Sequence, residues 1–213
     1  MNTAESLRLR DLLSPTRIAE YEMLCGGQLT RALRLHCWNT EISEAFYGPL
    51  QYLELALRTV ITREMSALLG QPDWWDNPTA DLHFGAAQRI GEARRQLARS
   101  GLSGTAEQIT DELPFGFWVS LLGSGNTYDQ RFWRTGLHRA FPGYRGRRRD
   151  LHRKLDYLRI LRNKIAHHGA IHHRHLSADH DAVLECLGFI APELATVVRR
   201  YSRVPVVLAR RPT

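Results

Sequence analysis

Residues 147–168 read RRRDLHRKLDYLRILRNKIAHH, and within them Leu151, Leu155, Leu158 and Ile165 recur at steps of three and four. That period places the four side chains on one face of a helix, with the intervening charges on the other. Working outward, the same period runs through 29–69, where Leu50, Leu53, Leu57, Val60 and Ile61 form one stripe and Gly48-Pro49 predicts a break between two helices. A third stripe, Val183, Leu187, Ile190, Leu194, Val197 and Tyr201, should be broken or kinked at Pro192.

Helix punctuation supports the same reading. Ser14-Pro15 offers an N-cap followed by proline at the first helical position, and Thr105 with Gln108 has capping-box spacing. Further helices are expected over about 82–100, after Thr105, and in the apolar block Pro114–Leu122. Trp74 and Trp75 sit in a short loop and are expected to anchor it to the core. Gly123-Ser-Gly-Asn126 lacks the Lys-Ser/Thr ending of a phosphate loop and reads as a connector. Val204-Pro-Val-Val-Leu208 is the one strand-like run, interrupted by Pro205, and the chain from about 204 is expected to be a less ordered tail. Six or more helices with mostly short connections predict a single all-α domain over 1–213, built as a helical bundle.

Composition bounds the function. A hydrophobic fraction of 43% and a charged fraction of 24% are ordinary for a globular protein. No apolar run approaches the roughly 18–20 residues that span a bilayer, and MNTAESLRLRDLLS lacks the apolar stretch of a leader, so no membrane partner and a cytoplasmic location are expected. Cys25, Cys37 and Cys186 form no CxxC pair, which suggests reduced thiols rather than a disulfide framework or a cysteine zinc site. The histidines His167, His168, His172, His173 and His175 cluster, but Gly169 interrupts any helical spacing and no carboxylate precedes Asp179, so no metal is assigned.

Charge is unevenly placed. Residues 145–174 hold ten Lys or Arg against Asp150 and Asp156, a local net of +8, whereas the other 19 Lys or Arg and 20 Asp or Glu sum to −1. A basic segment on a near-neutral body is the footprint of a nucleic-acid-binding face, because it displaces counterions condensed on phosphates. Arg147, Arg148, Arg149 and Lys164 are candidate RNA-backbone contacts.

One position breaks the pattern. The stripe calls for an apolar residue at 162, and the chain has Arg162. A guanidinium on a core-facing stripe needs either a structural carboxylate or an anionic ligand. Glu54, beside its own apolar stripe, has two candidate partners: Arg58 at i+4, which is favoured, and Arg162.

Arg162-Asn-Lys-Ile-Ala-His167 resembles the R-x4-6-H motif of the HEPN superfamily, and Leu161–His168 is similar to the corresponding segment of Abi-like (abortive infection) proteins. Leu53-Glu-Leu-Ala-Leu-Arg58, Trp74-Trp75 and Pro114-Phe-Gly-Phe-Trp118 follow in the order and spacing of that family, so the resemblance covers roughly residues 15–200. It implies a HEPN-like bundle with additional helices that dimerises to bring two motifs to one composite active site. It also implies a metal-independent, cofactor-free endoribonuclease, in phage defence or as a toxin with an antitoxin partner. Attack by the RNA 2′-hydroxyl would use His167 as general acid or base, with His168 fitting the looser spacing. Arg162 would hold the scissile phosphate, Asn163 would orient the histidine or phosphate, and Glu54 would support them. The alternative is a non-catalytic RNA-binding or protein-interaction module with the same fold.

Overall fold

The framework of the protein is one long helix that a buried proline fails to interrupt. The computed structural model describes residues 2–212; Met1 and Thr213, the ends of the expected domain, lie outside the described residues. Helices α1 (Thr3–Leu12) and α2 (Pro15–Leu24) precede α3, which runs unbroken over Leu29–Leu69 with Pro49 inside it. The expected break at Gly48-Pro49 is therefore corrected. Proline removes one backbone hydrogen bond and crowds the preceding turn, costing about 3 kcal/mol. Phe46, Leu50, Leu53 and Leu57 flank it and are all buried, and each such side chain contributes about 1.5–3 kcal/mol when taken from water. Packing on both sides of the proline thus outweighs the local penalty. The helix ends where Gly70 takes φ 74° and its N–H bonds the Ser66 carbonyl at 2.8 Å.

Shorter helices surround α3: α4 (Phe84–Arg99), α5 (Ala106–Glu112), α6 (Phe115–Ser120), α7 (Arg148–Ala166), α8 (Leu176–Ile190), α9 (Pro192–Tyr201) and α10 (Val204–Leu208). The local signals behave as read. Ser14 caps α2 ahead of Pro15, and Thr105 with Gln108 closes a capping box on α5. Trp74 and Trp75 form a buried 3-10 turn and pack edge to face. The connector after Gly123 becomes a 3-10 turn and then a π-helical turn, Asp129–Trp133. The described residues contain no strand, and one contiguous apolar core extends from Tyr21 to Val207.

In the C-terminal region the expected strand-like, loose tail is corrected, while the last stripe is interrupted at Pro192 as expected. Val204–Leu208 is neither strand nor loose tail: Val204 and Val207 are buried, and the Val207 carbonyl accepts a hydrogen bond from the Trp38 indole at 2.9 Å. The stripe from α8 does not carry through to Val197 and Tyr201, which are exposed; Ala195 and Val198 are buried instead. Ala191, extended at φ −156°, and Pro192 restart the helix, so the register changes across the break. The pattern within a single helix survives, while the pattern across a proline does not.

For the site, the essential packing is α3 and α6 against α7, with α4 against α6. Leu151, Leu155, Leu158 and Leu161 fasten α7 to the core. Towards the C-terminal end of α7, Arg162 and Asn163 are half-buried and line open clefts.

Candidate functional site

The end of α7 is built by a helix cap with an unusual residue in it. His167 is the cap and donates its N–H to the Asn163 carbonyl at 3.0 Å. His168 N–H bonds the Ile165 carbonyl at 3.0 Å, and Gly169 N–H bonds the Lys164 carbonyl at 2.7 Å. This pair of bonds is the Schellman arrangement, whose left-handed position normally holds glycine. Here that position is His168, at φ +57°. Gly169 is needed for close approach instead, since a Cβ there would lie 3.0 Å from the Lys164 side chain and 3.1 Å from its carbonyl oxygen. A side chain in the left-handed region costs about 1–2 kcal/mol relative to the right-handed one. Such strain persists where surrounding structure imposes it, often at functional sites.

Arg162 projects from α7 towards α3 and meets Glu54. Its Nε lies 3.1 Å from one carboxylate oxygen and its Nη2 3.5 Å from the other. The favoured Glu54–Arg58 pair is corrected: Arg58 turns to Asp111, bonding its carboxylate at 3.1 Å and its backbone carbonyl at 3.1 Å. The i+4 pair loses because α7 brings a second guanidinium to Glu54 while α5 offers Arg58 both a charge and a carbonyl. The Arg162–Glu54 geometry satisfies part of the guanidinium and leaves its remaining N–H groups for another acceptor.

Arg162 lines two clefts. The first, about 470 Å³, is bounded by Glu54, Arg58, Arg162 and His168, with Tyr47 and Gln51 of α3 completing its polar wall. The second, about 450 Å³, opens between α4, α6 and α7 and also takes in Asn163. Thus the structure brings Arg162, Glu54 and His168 to one cleft and Arg162 with Asn163 to the other. His167 is exposed and lines neither.

The basic segment is less free than its composition indicates. Six of its ten cations have carboxylate partners: Arg148 with Asp129, Arg153 with Asp150, Lys154 with Glu185, Arg159 with Asp156, Arg162 with Glu54, and Arg174 with Asp179. Four of those acids come from outside 145–174, so the local excess of +8 is offset in three dimensions. Arg148 in particular is corrected as an RNA-backbone contact. It is half-buried, pairs with Asp129 at 2.9 Å and donates to the carbonyls of Leu122 and Gly123, fastening the start of α7 to the connector. Arg147 and Arg149 are exposed, and Lys164 Nζ lies 3.2 Å from His173 Nε2.

The remaining histidines divide by environment. His172 is buried beside Tyr21 and His173, and burial, followed by the nearby His173, holds its pKa below the ordinary value. His180 is buried next to Phe46 with its pKa lowered by burial. No group of three or more His, Cys, Asp or Glu suited to holding a metal ion occurs among the described residues.

Sequence reading missed the second cleft. His152, Asp156, Arg159 and Asn163 recur at steps of four, three and four, so they form a polar stripe beside the apolar one on α7. That stripe was the available signal. The contributions of Arg89 from α4 and of His83, the N-cap of that helix, had none, because only packing brings them there. Comparison with known protein families, with curated proteins and with solved structures finds no match.

Proposed function

We propose that the protein is a metal-independent endoribonuclease whose catalytic group is Arg162, Asn163 and the His167-His168 pair, supported by Glu54. The observation that carries this reading is the cleft in which Arg162, oriented by Glu54, and the conformationally strained His168 stand together. In the reaction, a histidine removes the proton of an RNA 2′-hydroxyl as the oxygen forms a bond to the adjacent phosphorus. The bond from phosphorus to the 5′-oxygen breaks, and that oxygen receives a proton from the second imidazole. The products are a 2′,3′-cyclic phosphate and a 5′-hydroxyl end. Arg162 would hold the non-bridging oxygens as negative charge grows on them.

Within one chain, His168 is the histidine placed with Arg162. His167, which the motif spacing selects, lies outside that cleft and would meet a phosphate held by a second copy. A symmetric dimer joined near the end of α7 would therefore give each phosphate an Arg162, a His168 and the opposing His167. Exposed Tyr47 and Leu55, beside the cleft on α3, provide apolar surface for such an interface.

The Arg162–Glu54 pair also supports a second reading, a non-catalytic RNA-binding or protein-interaction module in which Arg162 is structural. Labelled RNA incubated with purified protein in EDTA separates the two. Cleavage abolished by Arg162→Ala, with folded protein and cyclic-phosphate ends in the wild-type reaction, supports the enzyme. Cleavage only with added divalent metal rules out the mechanism, and binding without cleavage under all conditions supports the module. A role in phage defence, or as a toxin restrained by an antitoxin, would follow from that activity.

A further inference from the structure

The cleft between α4, α6 and α7 shares Arg162 and Asn163 with the proposed catalytic group, and the cationic side chains on the rest of its lining have no part in the chemistry above. Three guanidinium groups, Arg89, Arg159 and Arg162, face it with the imidazoles of His83 and His152, and its one carboxylate is Asp156. Asp156 takes a single bond from Arg159 Nε at 2.7 Å, which leaves both terminal nitrogens of that guanidinium as donors. Arg89 uses one terminal nitrogen on Glu92 at 2.8 Å.

Two glycines, Gly85 and Gly116, line the cleft. At Gly116 a Cβ would come within 3.3 Å of the Arg159 side chain, and at Gly85 one would lie 3.3 Å from the His83 ring. His83 is further fixed because its Nδ1 accepts the Ala86 N–H at 3.2 Å, so its neutral form carries the proton on Nε2. Pro114, Gly116 and Phe117 form one wall, which accounts for part of the Pro114–Trp118 motif as a boundary of this cleft.

A volume of about 450 Å³ exceeds what inorganic phosphate needs and suits a nucleotide unit. Arg162 borders both this cleft and the one containing His168, so a strand with its reacting phosphate at Arg162 has its neighbouring nucleotide at this opening. We propose that the cleft binds the phosphodiester adjacent to the scissile one in single-stranded RNA, with Arg159 and Arg89 as the anion-binding residues. The assignment rests on the ribonuclease reading for the position of the scissile group, but its test does not require cleavage.

The probes are 2′-deoxy oligonucleotides of two and four nucleotides, which cannot react because they lack the attacking hydroxyl. Fluorescence anisotropy against salt should show the wild type binding the tetranucleotide about tenfold more tightly than the dinucleotide, the lower end expected for one charge-assisted contact. In Arg159→Gln that gain should disappear, and the salt slope for the tetranucleotide should fall by about 0.7 for the lost phosphate contact. Arg159 is partly exposed, and its partner Asp156 remains solvated without it, so the variant should keep its helical circular dichroism. Gly116→Leu, which fills the cleft without changing charge, should remove the same gain.

A full length gain in both the Arg89→Gln/Arg159→Gln double variant and Gly116→Leu overturns the proposal. Equal affinity for inorganic phosphate and the tetranucleotide overturns its assignment to a strand. Absence of wild-type RNA cleavage alongside a variant-sensitive length gain refutes the ribonuclease reading and upholds the cleft. Cleavage alongside an insensitive length gain does the reverse.

Discussion

Replacing His168 with glycine should stabilise the protein and remove its activity at once. At φ +57°, a residue with a Cβ bears about 1–2 kcal/mol that glycine does not. Glycine also increases the entropy of the unfolded chain, by about 0.5–1 kcal/mol. The difference leaves His168→Gly about 0.5–1 kcal/mol more stable, which for a chain of 213 residues raises Tm by about 1–4 °C. His168 is exposed, so little packing is lost with the ring. Thermal melts by circular dichroism and cleavage of labelled RNA in EDTA read the two effects separately. His168→Asn, which tolerates the same backbone but lacks an imidazole, should melt near the wild type and be inactive. His167→Ala should change Tm by less than about 0.5 kcal/mol equivalent because the side chain is exposed. Its effect on cleavage tests the composite site: loss at protein concentrations that favour dimer supports a contribution from His167. A lowered Tm in His168→Gly refutes the strain argument, and wild-type cleavage by that variant refutes the placement of the acid-base group.

The Arg162–Glu54 pair should show a coupling of about 1 kcal/mol in a double-mutant cycle of Arg162→Ala and Glu54→Ala, as both partners are partly solvated. Coupling indistinguishable from zero would make the contact incidental. Stability should decline as pH falls below about 6.5. Burial keeps the native pKa values of His172 and His180 below their unfolded value, so the unfolded chain takes up protons first. Stability is thus complete above about 6.5 and falls, by up to about 1.4 kcal/mol per pH unit per histidine, until the lowered native pKa is reached. A Tm unchanged between about pH 7.5 and 5.5 would contradict this. Thiol reactivity should also separate the cysteines: exposed Cys37 should label readily, while buried Cys186, its thiol pushed up to about 12 by desolvation, should label only on unfolding. Equal labelling rates in native buffer would contradict its burial.

The helical class was legible because its signals are local. Leu151, Leu155 and Leu158 lie on one face by the period of the helix, and Ser14-Pro15, Thr105 with Gln108, and Pro192 act within a turn of where they stand. Arg162 could be singled out for the same reason, as a charge in an apolar register. Its pairing with Glu54 could be offered only as the less favoured of two alternatives, since Glu54 lies 108 residues away and becomes its neighbour only when α7 packs on α3. The continuity of α3 through Pro49 was likewise decided by burial on both sides, against the local preference. Charge counted along 145–174 overstated the free basic face, because Asp129, Glu185, Glu54 and Asp179 arrive from elsewhere or from beyond the segment to pair with it. The sequence by itself determined which stretches coil and which side chains break their pattern, since both follow from nearest neighbours on a helix. Only the tertiary structure decided which charges remain available and where the clefts open, because those depend on elements distant in the chain meeting at one surface.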